Sequence, residues 1–225
     1  MALTARSNWY RCLAGSVVFS LLITASAAYA APIFTQSGTP NTAFPSEREF
    51  DTLIGDDFTL PANDVIRSVS WLGSYAFDGT APAVDDFQIR FYADAAGSPG
   101  ALLQSFAVGH AAARDAVGTL GPFTTYGYTA DLGGGFGAAA GTTYWLMIAN
   151  DTTGDNDNWY WAVQTGPGGN VQLSVDDGGS WSSTLVAAEA YFILDNDNVS
   201  VPEPASFLLV GIGVAAAVRR RLLHR

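Results

Sequence analysis

Lysine is missing from all 225 residues, and its absence closes several routes at once. A P-loop lysine gripping phosphates and a Schiff-base lysine are both excluded. The single cysteine, Cys12, lies near the start, so residues 31–204 hold no thiolate nucleophile, iron–sulfur ligand, thiolate zinc ligand or disulfide. That stretch has one histidine, His110, set between Gly109 and three alanines, and no G-x-S-x-G elbow accompanies it. Positive charge is scarce too. Residues 31–204 carry all 21 acidic residues against four arginines, Arg48, Arg67, Arg90 and Arg114, a net charge of −17. Such a surface repels nucleic acid and anionic membranes. Among common enzyme chemistries only one built on paired carboxylates, as in a glycosidase, survives these absences.

What is present is most legible at the two ends. Arg6 and Arg11 precede an apolar stretch over residues 12–25, and Ala28-Tyr29-Ala30 puts small residues at −3 and −1 of a cleavage site. The pattern predicts a secretory signal peptide over 1–30, cut after Ala30. Trp9-Tyr10-Arg11 before Cys12 lacks the small and apolar residues of a lipoprotein site, so the cysteine is expected to leave with the leader. Near the other end, residues 205–218 are uncharged, a run of 14 where a bilayer-spanning helix needs about 20. Arg219, Arg220 and Arg221 then form a cluster that is held on the cytoplasmic side, which puts the body of the protein across the membrane from it. Pro202 and Pro204 around Glu203 keep the segment before the apolar run extended and accessible.

Pro202-Glu203-Pro204, the short apolar helix and the arginine cluster resemble the PEP-CTERM sorting signal of Gram-negative bacteria. The resemblance implies a membrane-embedded exosortase as partner, transient anchoring in the inner membrane, and cleavage near the motif. It implies a destination at the cell surface or in the extracellular matrix, in company with exopolysaccharide and biofilm. It covers about the last tenth of the chain, so the domains are read as 1–30 signal peptide, 31–198 body and 199–225 sorting signal.

The body reads as short extended segments separated by Gly, Pro, Asn and Asp. Phe87, Ile89 and Phe91 alternate with Gln88, Arg90 and Tyr92, the clearest half-buried strand. Residues 143–149 are apolar on both alternations and predict a central strand covered on both faces. Residues 65–76 put Val65, Val69, Trp71 and Tyr75 on one face, with Arg67 intruding. Asp56-Asp57 reads as a bend, Gly133-Gly134-Gly135 as a corner, and 111–114 as the only stretch with a tendency to coil, too short for a stable helix. Nine to eleven short strands predict an all-β fold, an antiparallel β-sandwich of jelly-roll type, flanked by an N-terminal signal helix and a C-terminal hydrophobic helix.

Candidate sites in the body are few. Asp151, Asp155 and Asp157 share one Asp/Asn/Gly loop of the kind that supplies oxygen ligands to calcium, although the glycine and final glutamate of an EF-hand are missing and plain turn composition reads the same way. No other cofactor is expected. Trp159 and Trp161 fall on one strand face and Tyr160 on the other; Trp159 is weighed both as core and as a ring that stacks on a sugar. Trp181, between Gly179-Ser180 and Ser182, is expected at a loop tip. The leading expectation is a non-enzymatic structural or adhesive protein acting with exopolysaccharide. The alternatives are a lectin-like carbohydrate-binding module, calcium-dependent or not, and a carboxylate-based glycosidase or lyase.

Overall fold

The computed structural model describes residues 31–76, 81–110, 112–154, 157–183 and 187–197. The two terminal helices expected from the sequence lie outside these residues, as do Ala28, Ala30, Pro202, Glu203, Pro204, Arg219, Arg220 and Arg221. The described residues form strands β1 (Phe34–Gln36), β2 (Thr42–Pro45), β3 (Leu53–Thr59), β4 (Asp64–Tyr75), β5 (Phe87–Asp94), β6 (Pro99–Gly109), β7 (Ala113–Leu120), β8 (Phe123–Ala138), β9 (Thr143–Ala149), β10 (Trp159–Thr165), β11 (Gln172–Ser174), β12 (Ser182–Ser183), β13 (Ala188–Ala190) and β14 (Phe192–Asp195). One 3-10 turn, Arg48–Phe50, interrupts them. All pairings between these strands are antiparallel.

Two sheets result. One runs β12-β11-β3-β9-β5-β6. The other sets β7, β8 and β4 side by side and then forks: β10 pairs with the end of β4 from Trp159↔Tyr75 to Trp161↔Gly73, and β14 pairs with its middle from Phe192↔Trp71 to Asp195↔Ser68. β13 and β2 flank β10, and β1 flanks β14. The inner faces of both sheets meet in one core, a sandwich-like arrangement. This forked order does not amount to the jelly roll expected from the sequence.

The core is aromatic. Trp71 stacks on Tyr128 at 5.4 Å, and Phe87 meets Trp71 and Trp159 edge-on at 5.1 Å each. Each such pair contributes about 0.5–1.5 kcal/mol beyond the area it buries. Gly73 makes room for it, because a Cβ there would lie 2.4 Å from Cζ2 of Trp159. β9 is covered on both faces, as its double alternation predicts: Leu146 and Ile148 enter the main core, while Trp145 and Met147 join Leu53, Tyr92 and Ala149 in a second cluster on the far side of the sheet.

Several local expectations are corrected. A bulge between Ile66 and Ser68 leaves Arg67 unpaired in the ladder and shifts the phase of β4, so Ile66 rather than Val65 joins Val69, Trp71 and Tyr75 inside. Asp56 and Asp57 lie within β3 rather than at a bend, and Gly133-Gly134-Gly135 lies in β8 where its ladder with β4 breaks, between Asp131 and Phe136. Residues 113 and 114 open β7 instead of coiling; β7 is an edge strand exposed along most of its length and so lacks any apolar alternation.

Candidate functional site

The strands bring carboxylates to two places, at opposite extremes of neutralisation. The first is closed. Asp85, 2 % exposed, receives two bonds from Nη1 of Arg114 at 3.0 Å, a bond from the Tyr75 hydroxyl, and a long one from Nδ2 of Asn150 at 3.5 Å. Arg114 also donates to the Pro82 carbonyl at 2.9 Å, and the Asp85 N–H donates to Nδ1 of His110 at 3.1 Å. Burial pushes the Tyr75 and Tyr128 phenols up, so both stay neutral. Nearby, Glu47 accepts the N–H groups of Thr152 at 2.9 Å and Trp159 at 3.1 Å, and burial raises its pKa as well. These groups staple loops together, and His110 acts there as a backbone acceptor.

The second place is open. A cleft of about 640 Å³ lies where the edge of the forked sheet passes β3, lined by Phe34, Gln36, Asp57, Phe58, Asn170 and Glu189 among others. Alternation puts Ile54, Asp56 and Phe58 on the inner face of β3, so a carboxylate points into the sandwich beside its margin. Asp56 is fully buried; its Oδ2 accepts from Nε2 of Gln36 and from the Ala190 N–H, each at 2.5 Å, and its Oδ1 accepts from the Asp57 N–H at 2.9 Å. Burial outweighs these donors and holds Asp56 well above the usual aspartate range, with Glu189 and Asp57 adding repulsion. Gln36 also donates to Glu189, whose pKa is raised by burial first and by Asp57 second. On the outer side of β3, Asp57 accepts from Nδ2 of Asn170 at 3.2 Å. Among the described residues no arginine has an ion pair with Asp56, Asp57 or Glu189; the four ion pairs there lie elsewhere. Carboxylates and amides around an open cleft can exchange hydrogen bonds with hydroxyl-rich molecules, acting as acceptors and as donors.

Residues 32–189 match the model of a family described as a domain of unknown function, DUF7901. The chain belongs to the DUF7901 family. Residues 200–221 match the PEP-CTERM protein-sorting motif, which implies an exported protein processed by exosortase. No curated protein and no solved structure matches the chain. The DUF7901 match ends at Glu189, yet the fold runs on: Phe192 and Leu194 of β14 are fully buried in the core. The cleft of the DUF7901 domain is closed on one side by Glu189 itself.

The residues singled out in the sequence fall elsewhere. Trp159 is 0 % exposed and packed among Phe87, Tyr128 and Gly73, so its ring offers no face to a sugar. Trp181 does not stand free at a loop tip. It is half-buried against Gly55 and edge-on to Tyr92 at 5.6 Å, capping the second cluster, while the ion pair of Arg90 with Asp177 at 2.8 Å ties its loop down. Asp151 spends its carboxylate on Thr153 and on Arg48, at 3.7 Å; Thr153 is the main cause of its lowered pKa. Asp157 is fully buried, and Asp155 lies outside the described residues. Among the described residues no three acidic, histidine or cysteine side chains are grouped to hold a metal. The cleft itself went unpredicted. Its one sequence signal was a pair of aspartates inside the apolar stretch from Leu53 to Leu60, where a bend was the simpler reading.

Proposed function

We propose that the exported domain is a non-catalytic, adhesive component of the extracellular matrix or cell surface, and that it holds a polysaccharide in the cleft of Gln36, Asp57, Asn170 and Glu189. The observation that carries this reading is the sorting motif joined to a domain with an open cleft whose lining includes two carboxylates and two amides. The charge of the body narrows the ligand. A net −17 with no arginine in the cleft repels uronate-rich polymer and favours a neutral or amino-bearing glycan. The test is co-sedimentation of the secreted protein with the producer's own exopolysaccharide beside a neutral glucan and a polyuronate. Retention by the native polymer and exclusion of the polyuronate are expected; retention by the polyuronate alone would overturn the assignment.

A second reading, a carboxylate-based glycosidase or lyase, draws on one feature of the same cleft. Burial raises Glu189 towards its protonated form beside Asp57, as a general acid requires. Incubation of secreted protein with the native polymer decides between them: new reducing or unsaturated ends, lost in Glu189→Gln, would favour catalysis over simple retention.

A further inference from the structure

The folded body reaches almost to the sorting motif, and the last described residues are fastened to it. β14 ends at Asp195, paired with Ser68 of β4. Beyond it, Nδ2 of Asn196 donates to both carboxylate oxygens of Asp64, at 3.3 and 3.2 Å, and the Ser68 hydroxyl donates to the Asp197 carbonyl at 3.0 Å. Pro202 is five residues on from Asp197. Fully extended, five residues span at most roughly 17 Å. The surface of the domain around Asp197 is therefore held within roughly 17 Å of whatever binds Pro202-Glu203-Pro204.

We infer that the processing enzyme receives this protein already folded, with the end of the sandwich where β14 leaves β4, marked by Asp64 and Asp197, seated against its outward surface, while Ser68 and Asn196 act only inside the fold as the fastenings. The charge at that end says what it meets. Asp131 and Asp195 flank Ser68 in the ladder, and with Asp64 and Asp197 they outnumber Arg67, the one cation in that neighbourhood among the described residues. Such an end is repelled by anionic lipid, which favours seating on the enzyme over seating on the bilayer. This inference rests on the sorting motif and the two fastenings, and it is independent of what the cleft binds.

The test uses the full chain in its producer, with precursor and released protein followed by pulse-chase. Deleting Asn198 and Val199, which lie outside the matched motif, shortens the reach by roughly 7 Å. Release should fall by roughly tenfold, with precursor held in the membrane, because a tether too short to span its two sites brings their effective concentration close to zero. Adding Ser68→Ala and Asn196→Ala to the deletion frees two residues of chain and should restore most of the release; protease resistance of the released domain reports that the fold is kept. Release of the deletion variant at the natural rate would overturn the inference. So would a block that persists after the fastenings are removed, since the fault would then lie in motif spacing alone.

Discussion

Asp85 and Asp56 are both carboxylates buried at the margin of the sandwich, and the fold treats them in opposite ways. Asp85 is matched by a guanidinium, a phenol and an amide, and nothing of it is left over for a ligand. Asp56 is surrounded by amide donors only, with Glu189 and Asp57 as acidic neighbours and an open cleft alongside. A neutralised, closed cluster is a staple, whereas an acidic cluster without a cation keeps a cost that folding alone does not recover. The contrast is the reason the polymer-binding surface is proposed at the second cluster, although the first has the more conspicuous residues.

The sharpest way to break the contrast is to remove the cation from the closed cluster. Arg114→Ala leaves Asp85 buried and unmatched, and chemical denaturation should show a loss of about 3–5 kcal/mol. Asp56→Ala comes next. It strands the Gln36 amide and the Ala190 N–H, and a loss of about 1–3 kcal/mol is expected from the same measurement.

The pH dependence reports on the second cluster through Asp56 and Glu189. Asp56 and Glu189 have folded pKa values raised by burial, so the folded state binds more protons than the unfolded chain does. Their contribution is fully present below about pH 4, the unfolded carboxylate range, and is lost as pH rises through the raised folded values. Stability should therefore climb as pH falls from neutral towards about 5, the reverse of acid denaturation. Thermal melts across that window should show a flatter profile for Asp56→Asn than for the natural protein. An identical slope would mean that Asp56 is ionised in the fold.

The smallest effect on stability is expected at the surface of the cleft. Asp57→Ala and Asn170→Ala remove one hydrogen bond between half-buried groups, and each should change stability by only about 0.5 kcal/mol. Equilibrium denaturation of the two variants checks that they are fit for binding measurements.

The all-β fold was legible because alternation is strong where one face is buried, as in Phe87–Asp94, and because an apolar run as short as Thr143–Ala149 has to be covered on both sides. Edge strand β7 was not legible, since a strand exposed on both faces has no alternation to read. The phase of β4 was hidden by the bulge at Arg67, which no local pattern announces. The cleft escaped for a different reason. Gln36 and Glu189 are 153 positions apart, and only the forked pairing of β14 and β13 brings β1 and β13 to the same margin of β3. Trp181 was misplaced because glycine and serine around an aromatic read as a free loop, whereas Gly55 provides the flat seat that draws the ring down onto the sheet.

The central claim is that the cation-free cleft is where this exported domain meets its polymer. The most direct measurement is binding of the secreted protein to the producer's exopolysaccharide, natural against an Asp57→Ala, Asn170→Ala double variant of matched stability. Affinity should fall by roughly tenfold or more, the equivalent of about 1.4 kcal/mol or greater. Equal binding by the two proteins would contradict the claim and move the contact surface elsewhere on the sandwich.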